Sequence, residues 1–322
     1  MRTAIVIPSF RGAWRVARLL ESIAHHDLQV LDAAHFLVVE DPSDEQSTKH
    51  YENTLKKFPN VDFIKLKNWS NMHGAAKHAF EYAAKSYDPD WFFYLGDDVL
   101  ITPGAISSVL HFVERNALRT VGLVQIPYWN AHDLTPDGYD GNGNREWHPH
   151  GPGVKLSRGR PYLIETKDDM YVKDPSWLRD VPRNAHWDGD GFARSYVNVN
   201  GVGFLCRNEH YFSVGGFADG TWCLDESISV RTWKDSDYSI VCLPGPPFIH
   251  FFAGSTLCDP PAHSLHTHEA WERAMGMTKE EAGALSYARM HDRQPAVHRE
   301  MTFASYWRPD GVSGNQVLER SL

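Results

Sequence analysis

Strand and helix signals alternate along the first 130 residues, and this alternation constrains the fold more than any other feature of the chain. Short apolar runs that predict buried strands lie at residues 4–7, 36–39, 62–66 and 91–95. Segments with apolar residues at helical spacing lie between them, at residues 14–25, 48–58 and 71–87. Because this order is typical of a parallel sheet covered by helices on both faces, we predict an α/β fold.

Two adjacent carboxylates, Asp97 and Asp98, follow the aromatic run of residues 91–95. The turn signal Pro103-Gly104 comes soon after, so we place both carboxylates at the carboxyl end of a strand. Ligands bind at that edge in open α/β sheets, and carboxylate oxygens suit Mg²⁺ or Mn²⁺ holding a diphosphate. An acidic turn after a buried strand explains the pair equally well, and both interpretations stay open at this point.

Composition and charge exclude few classes of protein. A hydrophobic content of 42% is that of a folded globular chain, and the 322 residues suffice for one large domain or two small ones. The net charge of −9 argues against a general nucleic-acid binder, although the basic residues Lys155, Arg158 and Arg160 leave a local basic patch open.

The four cysteines are Cys206, Cys223, Cys242 and Cys258. None forms a C-x-x-C pair, so we expect no zinc site. At four cysteines in 322 residues we also expect no disulfide framework, and a reducing compartment is the simplest interpretation. Neither a secretory signal nor a run of about 20 apolar residues is visible. We therefore expect a cytoplasmic protein without an integral membrane segment.

The character of the sequence changes at residues 127–198, which are rich in Gly, Pro, Asp, His and Trp and lack a sustained period. Long loops of this kind are commonly functional, and the many aromatic residues argue against disorder. His148 and His150 have a spacing that suits a metal, but we favour ordinary loop histidines because no third ligand follows nearby. Residues 268–291 predict a helix, and the last twenty residues are weakly patterned.

Seven short motifs follow one another along the chain: AIVIPSFRG, LVVEDPSD, NWSNMHGAAKHAFEYA, YLGDDVLITPGAI, VGGF, LDESISVR and FIH. Each is weak alone, but their order and spacing resemble those of the family-2 glycosyltransferases over residues 3–255. The resemblance implies a GT-A-like fold: a Rossmann-type mixed sheet flanked by helices, with an irregular acceptor-side insertion and a helical C-terminal extension. It implies a donor half at residues 1–126, an acceptor-binding and catalytic half of the same domain at 127–260, and the extension at 261–322.

The same resemblance implies a nucleotide-diphosphate-sugar donor, Mn²⁺ or Mg²⁺ as cofactor, and inverting transfer of the sugar to an acceptor hydroxyl. It places donor contacts at Pro8, Ser9, Arg11, Glu40, Asp41, Asn68, Gly74, Lys77 and Asp97. Asp41 is expected to accept a hydrogen bond from the nucleotide base, and Glu40 to hydrogen-bond its own loop. Arg11 either pairs with phosphate or is a solvated loop charge, and for Lys77 we favour a surface helix charge. Gly12 permits a close approach or a positive φ.

By the same resemblance, Asp98 matches the principal metal ligand, with Asp97 as a second contact to metal or ribose and His250 completing the metal site. The first acid of the family's Asp-x-Asp pattern corresponds to Gly96, so this chain carries Gly-Asp-Asp instead. Asp225 matches the catalytic base that takes the proton of the acceptor hydroxyl, and Glu226 is the adjacent alternative. Both acids would also suit a helix start, where carboxylates meet the helix dipole favourably.

Acceptor contacts are expected in the unmatched middle and in the turn around Gly216. Trp147 and Trp187 are our candidates for stacking on a sugar ring. UDP-sugars are the expected donors because they are frequent in the family, while a glycan, a lipid-linked sugar, a protein and a modified base in DNA remain open as acceptors. Three alternatives compete: a nucleotidyltransferase, a non-catalytic carbohydrate-binding relative, and a transferase acting on modified bases in DNA.

Overall fold

The computed structural model describes residues 1–42, 44–116, 119–133, 154–158, 170–172, 194–195, 198–221, 223–243, 248–251 and 267–301. The strands are β1 (Thr3–Ser9), β2 (His35–Glu40), β3 (Val61–Lys65), β4 (Trp91–Leu95), β5 (Val99–Ile101), β6 (Val121–Gln125), β7 (Tyr128–Asp133), β8 (Val154–Arg158), β9 (Met170–Val172), β10 (Arg194–Ser195), β11 (Gly203–Arg207), β12 (Ser239–Cys242) and β13 (Phe248–Phe251). The helices are α1 (Ala13–His26), α2 (Leu28–Ala33), α3 (Glu45–Leu55), α4 (Asn71–Tyr87), α5 (Ala105–Asn116), α6 (Asn208–Ser213), α7 (Leu224–Asp235), α8 (His268–Met275) and α9 (Lys279–Met301).

The main sheet has eight strands in the order β3-β2-β1-β4-β11-β6-β12-β10. Strands β1 to β4 pair in parallel, whereas β11 runs antiparallel to both β4 and β6. The alternation of strand and helix signals therefore predicted the parallel part correctly. The carboxyl ends of β1, β2 and β4 meet at one edge, where the predicted donor residues and the acid pair lie.

A second sheet of five strands, in the order β5-β13-β7-β8-β9, extends from the acid pair. Its strands β7, β8 and β9 come from the middle segment, in which the sequence showed no period. Strand β13 pairs antiparallel with β5, and this register sets His250 opposite Val99. The second sheet thereby brings a residue late in the chain next to Asp98.

Helices cover both faces of the main sheet. Alternate residues of β1 pack in two different cores: Ile5 and Ile7 lie with the apolar residues of α1, α3 and α5, and Ala4 and Val6 lie with those of α4 and α7. Helix α4 presents a predicted face of small residues, of which Ala75 and Ala79 are fully buried. These small side chains permit close packing on the sheet, because they occupy little space between helix and strand.

The predicted single helix at residues 268–291 is instead two helices. Gly276 adopts φ 65° and ends α8, because glycine enters the left-handed region without a steric penalty. Thr278 and Glu281 then begin α9 with a reciprocal capping box, in which each side chain accepts from the other's backbone N–H. Across the described residues, no helix is both long and apolar enough to cross a membrane.

His210 on α6 is a buried histidine remote from the acid pair. Its Nε2 lies 2.8 Å from the Thr232 hydroxyl, which itself donates to the Ile228 carbonyl, so Nε2 is the donor. Among the described residues, its buried Nδ1 has no hydrogen-bond partner. Burial, followed by the charges of Arg207 and Arg293, lowers the pKa of His210 from 6.5 to about 4.

We expect the fold to lose stability as the pH falls from about 6.5 to about 4, because the unfolded chain protonates His210 in this interval and the folded protein does not. The loss attributable to this one residue is about 3 kcal/mol. Urea unfolding of the wild type and His210→Gln at several pH values measures it. Above pH 7, the free energies of unfolding of the two proteins should differ by a constant amount. Below it, the variant should lose less stability than the wild type. If the two plots of unfolding free energy against pH stay parallel down to pH 4, the expectation is contradicted.

Candidate active site

The acid pair occupies the turn between β4 and β5, where both carboxylates are largely buried. Asp98 Oδ2 lies 3.6 Å from His250 Nε2, across the pairing of β5 with β13. Burial acts to raise the pKa of the Asp98 carboxyl, but the neighbouring His250 ring and Arg15 outweigh it, and the net shift is downward. The structure thus brings together two of the three residues expected to hold a metal.

Asp97 is held by a network of buried hydrogen bonds. Its Oδ2 accepts hydrogen bonds from Ser9 Oγ at 2.5 Å and from Arg15 Nη2 at 3.0 Å. The Ser9 hydroxyl also meets the Tyr51 hydroxyl at 2.6 Å, and the backbone N–H of Gly12 donates to the same Tyr51 oxygen at 2.7 Å. The other oxygen of Asp97, Oδ1, is buried and has no hydrogen-bond partner among the described residues. One Asp97 oxygen is therefore a structural acceptor, and the other is a buried acceptor that is unused among the described residues.

Two glycines are required by the close packing around these carboxylates. A Cβ on Gly12 would lie 2.2 Å from Asp97 Oδ2, so close approach, and not a positive φ, explains this glycine. The positive φ falls on the preceding residue, Arg11, at 48°. A Cβ on Gly96 would lie 2.8 Å from Asp98 Oδ1. An acid at that position would have to displace Asp98, which gives a physical reason for Gly-Asp-Asp in this chain.

The carboxyl end of β1 carries three of the predicted donor residues. Pro8 and Ser9 are buried within the strand. Arg11 follows in the loop, where its exposed guanidinium pairs with Asp44 at 3.8 Å and lies over the Phe10 ring. The structure therefore places Ser9 against the acid pair, while Arg11 faces the start of α3.

The end of β2 carries the two acids predicted to meet the nucleotide, and both are fully buried. Asp41 Oδ1 accepts from the backbone N–H and the hydroxyl of Ser70, at 2.8 and 2.9 Å, and its own N–H donates to Ser9 O. Glu40 accepts from the Thr48 hydroxyl at 3.4 Å. Glu40 thus contacts the start of α3, and a contact of Glu40 with the donor stays a prediction.

The loop after β3 and the first turns of α4 hold the remaining donor candidates. Asn68 is exposed, and Gly74 is so close to Ser70 that a Cβ there would lie 2.5 Å from the Ser70 Cβ. Lys77 pairs with the exposed Asp219 at 2.7 Å, and this contact lowers the pKa of Asp219. Lys77 therefore bridges α4 to the turn before α7, and a contact with the donor stays a prediction.

Asp225 in the first turn of α7 is joined to the acid pair through one loop. Its Oδ2 accepts from the backbone N–H of Gly201 at 2.9 Å, and its Oδ1 from that of Glu226 at 2.9 Å. The adjacent Val202 carbonyl accepts from the N–H of Gly96 at 3.1 Å. Burial raises the pKa of Asp225, against the two backbone donors. One loop therefore contacts both the predicted base and Gly96, the residue before the acid pair, and a shared reaction site stays a prediction.

Glu226, the alternative base, is held differently. Its carboxylate pairs with Lys279 of α9 at 3.0 Å, and the Lys279 ammonium lies 5.2 Å from the centroid of the Trp271 ring. The two adjacent acids of α7 therefore have separate environments: Asp225 accepts from the backbone beside the acid pair, and Glu226 is tied to the C-terminal helices.

The glycine turn before α7 is held by hydrogen bonds from one side chain of α7. Gly216 has φ 66°, and Arg231 donates to the carbonyls of Gly215 and Gly216, each at 2.8 Å. The predicted turn is thus present, and its contact with an acceptor stays a prediction. Trp147 and Trp187, the other acceptor candidates, lie outside the described residues, as do His148 and His150.

Comparison with known protein families identifies the family of this chain. The model of Glycosyl transferase family 2 matches residues 4–179, more than half of the 322 residues. The chain belongs to glycosyl transferase family 2. No curated protein gives a significant sequence match. The resemblance inferred from the motifs is therefore confirmed at the level of the family.

Comparison with solved structures gives matches to this family-2 member at low sequence identity. GalNAc-T7, crystallised with UDP, GalNAc and Mn²⁺, is 14% identical with a TM-score of 0.56, covering 93% of this chain and 51% of that one. The mannosyltransferase PcManGT from Pyrobaculum calidifontis, in complex with GDP-Man and Mn²⁺, is 14% identical with a TM-score of 0.50, covering 93% and 72%. S. aureus TarS 1-349 is 13% identical with a TM-score of 0.47, covering 78% and 60%. The chain thus spans about half of GalNAc-T7, and the predicted GT-A fold is confirmed.

Sequence reasoning missed three residues of this family-2 site. Arg15 lies on the buried face of α1 beside Leu19, and a charge on an apolar helix face is the signal of a buried ion pair. Gln125 at the end of β6 is fully buried and holds the loop before β11 through contacts with Asn200 and Gly203. Tyr51, the third, holds the loop after β1. No sequence pattern we used marked either Gln125 or Tyr51.

Proposed function

We propose that this chain transfers a sugar from a nucleotide-diphosphate sugar to an acceptor hydroxyl, with inversion and with the help of a divalent metal. The observation that carries the proposal is the assembly of Asp41, Asp98 with His250, and Asp225 at one edge of the main sheet. We assign the donor half to residues 1–126, the acceptor half to 127–260 and an extension to 261–322.

The donor would lie across the ends of β1, β2 and β4. Asp41, fixed by Ser70, is our candidate for accepting a hydrogen bond from the nucleotide base. Asp97 Oδ1, the buried oxygen without a partner in the described structure, is our candidate for a ribose hydroxyl or the metal. UDP is the expected nucleotide, and GDP is the first alternative because it appears in the PcManGT complex.

Asp98 and His250 are the residues that would hold the metal. Within the described part of the chain, no group of three His, Cys, Asp or Glu side chains is placed to bind one. The pair still fits the task, because Mg²⁺ is commonly bound by one or two carboxylates together with water and substrate phosphates. When bound, Mn²⁺ or Mg²⁺ supplies positive charge that stabilises the leaving diphosphate. The presence of Mn²⁺ in the GalNAc-T7 and PcManGT structures supports testing that ion first.

Asp225 is our candidate for the general base. An inverting transfer needs a carboxylate that takes the proton of the acceptor hydroxyl while the oxygen attacks the anomeric carbon. Its pKa, raised by burial, makes it a stronger base than an exposed aspartate, while the Gly201 N–H fixes its orientation. The proton passes from the acceptor hydroxyl to the carboxylate, and the nucleoside diphosphate leaves.

The donor assignment is tested by thermal unfolding with UDP, GDP, dTDP and CMP, each with and without Mn²⁺. A ligand at about 100 times its dissociation constant stabilises a fold by about 2.7 kcal/mol. We expect one diphosphate to stabilise the wild type only with Mn²⁺, and Asp98→Asn to remove the effect. Asp88→Asn is the matched control, since Asp88 is an exposed carboxylate paired with Arg2.

Two outcomes would contradict the proposal. Stabilisation that survives in Asp98→Asn would remove the metal role of this residue. Release of pyrophosphate, instead of a nucleoside diphosphate, during turnover would identify a nucleotidyltransferase.

A further inference from the structure

A groove lies between the start of α1 and the length of α3, beside the loop after β1. Its volume is about 580 Å³, within the range of small-molecule sites. Its lining includes Arg11, Trp14, Gln46, His50 and Asn53. Asp98 and Asp225 do not line it, whereas Arg11, one of the predicted donor contacts, does.

The lining combines an aromatic ring with neutral hydrogen-bonding groups. Trp14 is 38% exposed, a large apolar surface left in water at the rim of a concave site. The Arg15 guanidinium lies 5.7 Å from the centroid of the Trp14 ring, and this attractive cation–π contact restrains the indole. Gln46 and Asn53 add carboxamides, which both donate and accept hydrogen bonds.

The charged groups of the groove are paired with each other. Arg11 lies 3.8 Å from Asp44, and Asp44 also caps α3 by accepting from the N–H of Ser47. Because the Asp44 carboxylate offsets the charge of Arg11, the groove favours a neutral ligand with many hydroxyl groups.

The backbone beside the groove is strained and held in place. Arg11 has φ 48°, a conformation that side chains with a Cβ adopt at a cost. The next residue, Gly12, donates its N–H to the buried Tyr51 hydroxyl of α3, which fixes the loop between the two helices. Strain of this kind persists where the surrounding structure enforces it, and it concentrates at ligand sites.

We propose that this groove is a saccharide-binding subsite, in which the Trp14 indole packs against the apolar face of a sugar ring. Gln46, His50 and Asn53 would form hydrogen bonds with the hydroxyl groups of the sugar. Arg11 would remain paired with Asp44. The subsite would hold a sugar unit away from the reacting atoms. It goes beyond the proposed transfer reaction and does not depend on it.

The test uses neutral tetrasaccharides as probes: maltotetraose, cellotetraose and chitotetraose, at concentrations up to about 10 mM, since millimolar binding corresponds to about −4 kcal/mol. The chain holds eleven tryptophans, so each is labelled with 5-fluorotryptophan and Trp14 is assigned by the ¹⁹F signal lost in Trp14→Phe. We expect one probe to shift the Trp14 signal in a saturable manner. Trp14→Ala should weaken binding at least about tenfold.

Trp69→Ala is the matched control, because Trp69 is 40% exposed but does not line the groove. It should change saccharide binding less than about twofold, and Asn53→Ala should weaken it even if Trp14→Ala fails to fold. Failure of every probe to bind, or equal losses in the two tryptophan variants, would overturn the proposal. So would saturable binding of inorganic phosphate that Arg11→Met abolishes. If any of these outcomes is found while a nucleoside diphosphate with Mn²⁺ still stabilises the protein, the donor-site proposal is retained and only the subsite proposal is rejected.

Discussion

Asp225→Asn is expected to slow sugar transfer by about a hundred- to ten-thousand-fold, the contribution usual for a positioned general base. The substitution keeps the size of the side chain and an oxygen that accepts from the Gly201 N–H. It removes the carboxylate that would take the acceptor's proton. Donor binding should survive, because among the described residues the Asp225 carboxylate accepts from Gly201 and Glu226, neither of which is assigned to the nucleotide. Initial rates of nucleoside diphosphate release at saturating donor measure the effect.

The neighbouring acid supplies a sharp control for this prediction. Glu226→Gln breaks only a half-exposed ion pair with Lys279, worth at most about 1 kcal/mol of stability, and should retain near-normal transfer. Asp235→Asn, at the exposed C-terminal end of the same helix, should leave the rate of transfer unchanged. If Asp225→Asn keeps near-normal transfer while Glu226→Gln abolishes it, the base is Glu226, and the contact with Lys279 must open during catalysis.

The pH profile gives a second measure of the same carboxylate. The transfer reaction needs the ionised form, and burial raises the pKa of Asp225 above its ordinary 3.8. Activity of the wild type should therefore fall on the acid side at a pH above 3.8. The residual activity of Asp225→Asn should lack that fall.

Local patterns were enough to predict the parallel part of the main sheet. Strands β1 to β4 are short apolar runs bounded by polar turns, and α4 was predicted with the bounds that the structure gives it. The break between α8 and α9 was missed, although Gly276 and the pattern Thr278-x-x-Glu281 are local stop and start signals. Apolar residues continue at helical spacing on both sides of Gly276, so the pattern predicted one continuous helix.

Contacts between distant segments could not be predicted from local patterns. Strand β13 pairs with β5 and β7, more than a hundred residues earlier in the chain, and no periodicity within residues 248–251 specifies those partners. His250 was placed near Asp98 only through the resemblance to a family. Arg15 and Asp97 are 82 residues apart, and their ion pair was not predicted at all.

Arg15→Met is expected to lower the free energy of unfolding by about 3–5 kcal/mol, the usual cost of breaking a buried ion pair by removing one partner. Arg15 is 8% exposed, and its guanidinium bonds both Asp97 Oδ2 and the Phe10 carbonyl. Without the guanidinium, the Asp97 carboxylate would be buried without its counter-charge. Urea unfolding at neutral pH measures the loss.

Two matched variants decide whether the loss comes from the ion pair. Arg18 lies on the same helix in an exposed pair with Glu21, at 3.7 Å, so Arg18→Met should cost less than about 1 kcal/mol. The double variant Arg15→Met/Asp97→Asn removes the stranded charge together with its partner, and it should be more stable than Arg15→Met alone. If Arg15→Met and Arg18→Met destabilise equally, or if the double variant is the least stable of the set, then Arg15 does not act by neutralising Asp97. In that case the acid turn is held chiefly by Ser9 and Tyr51.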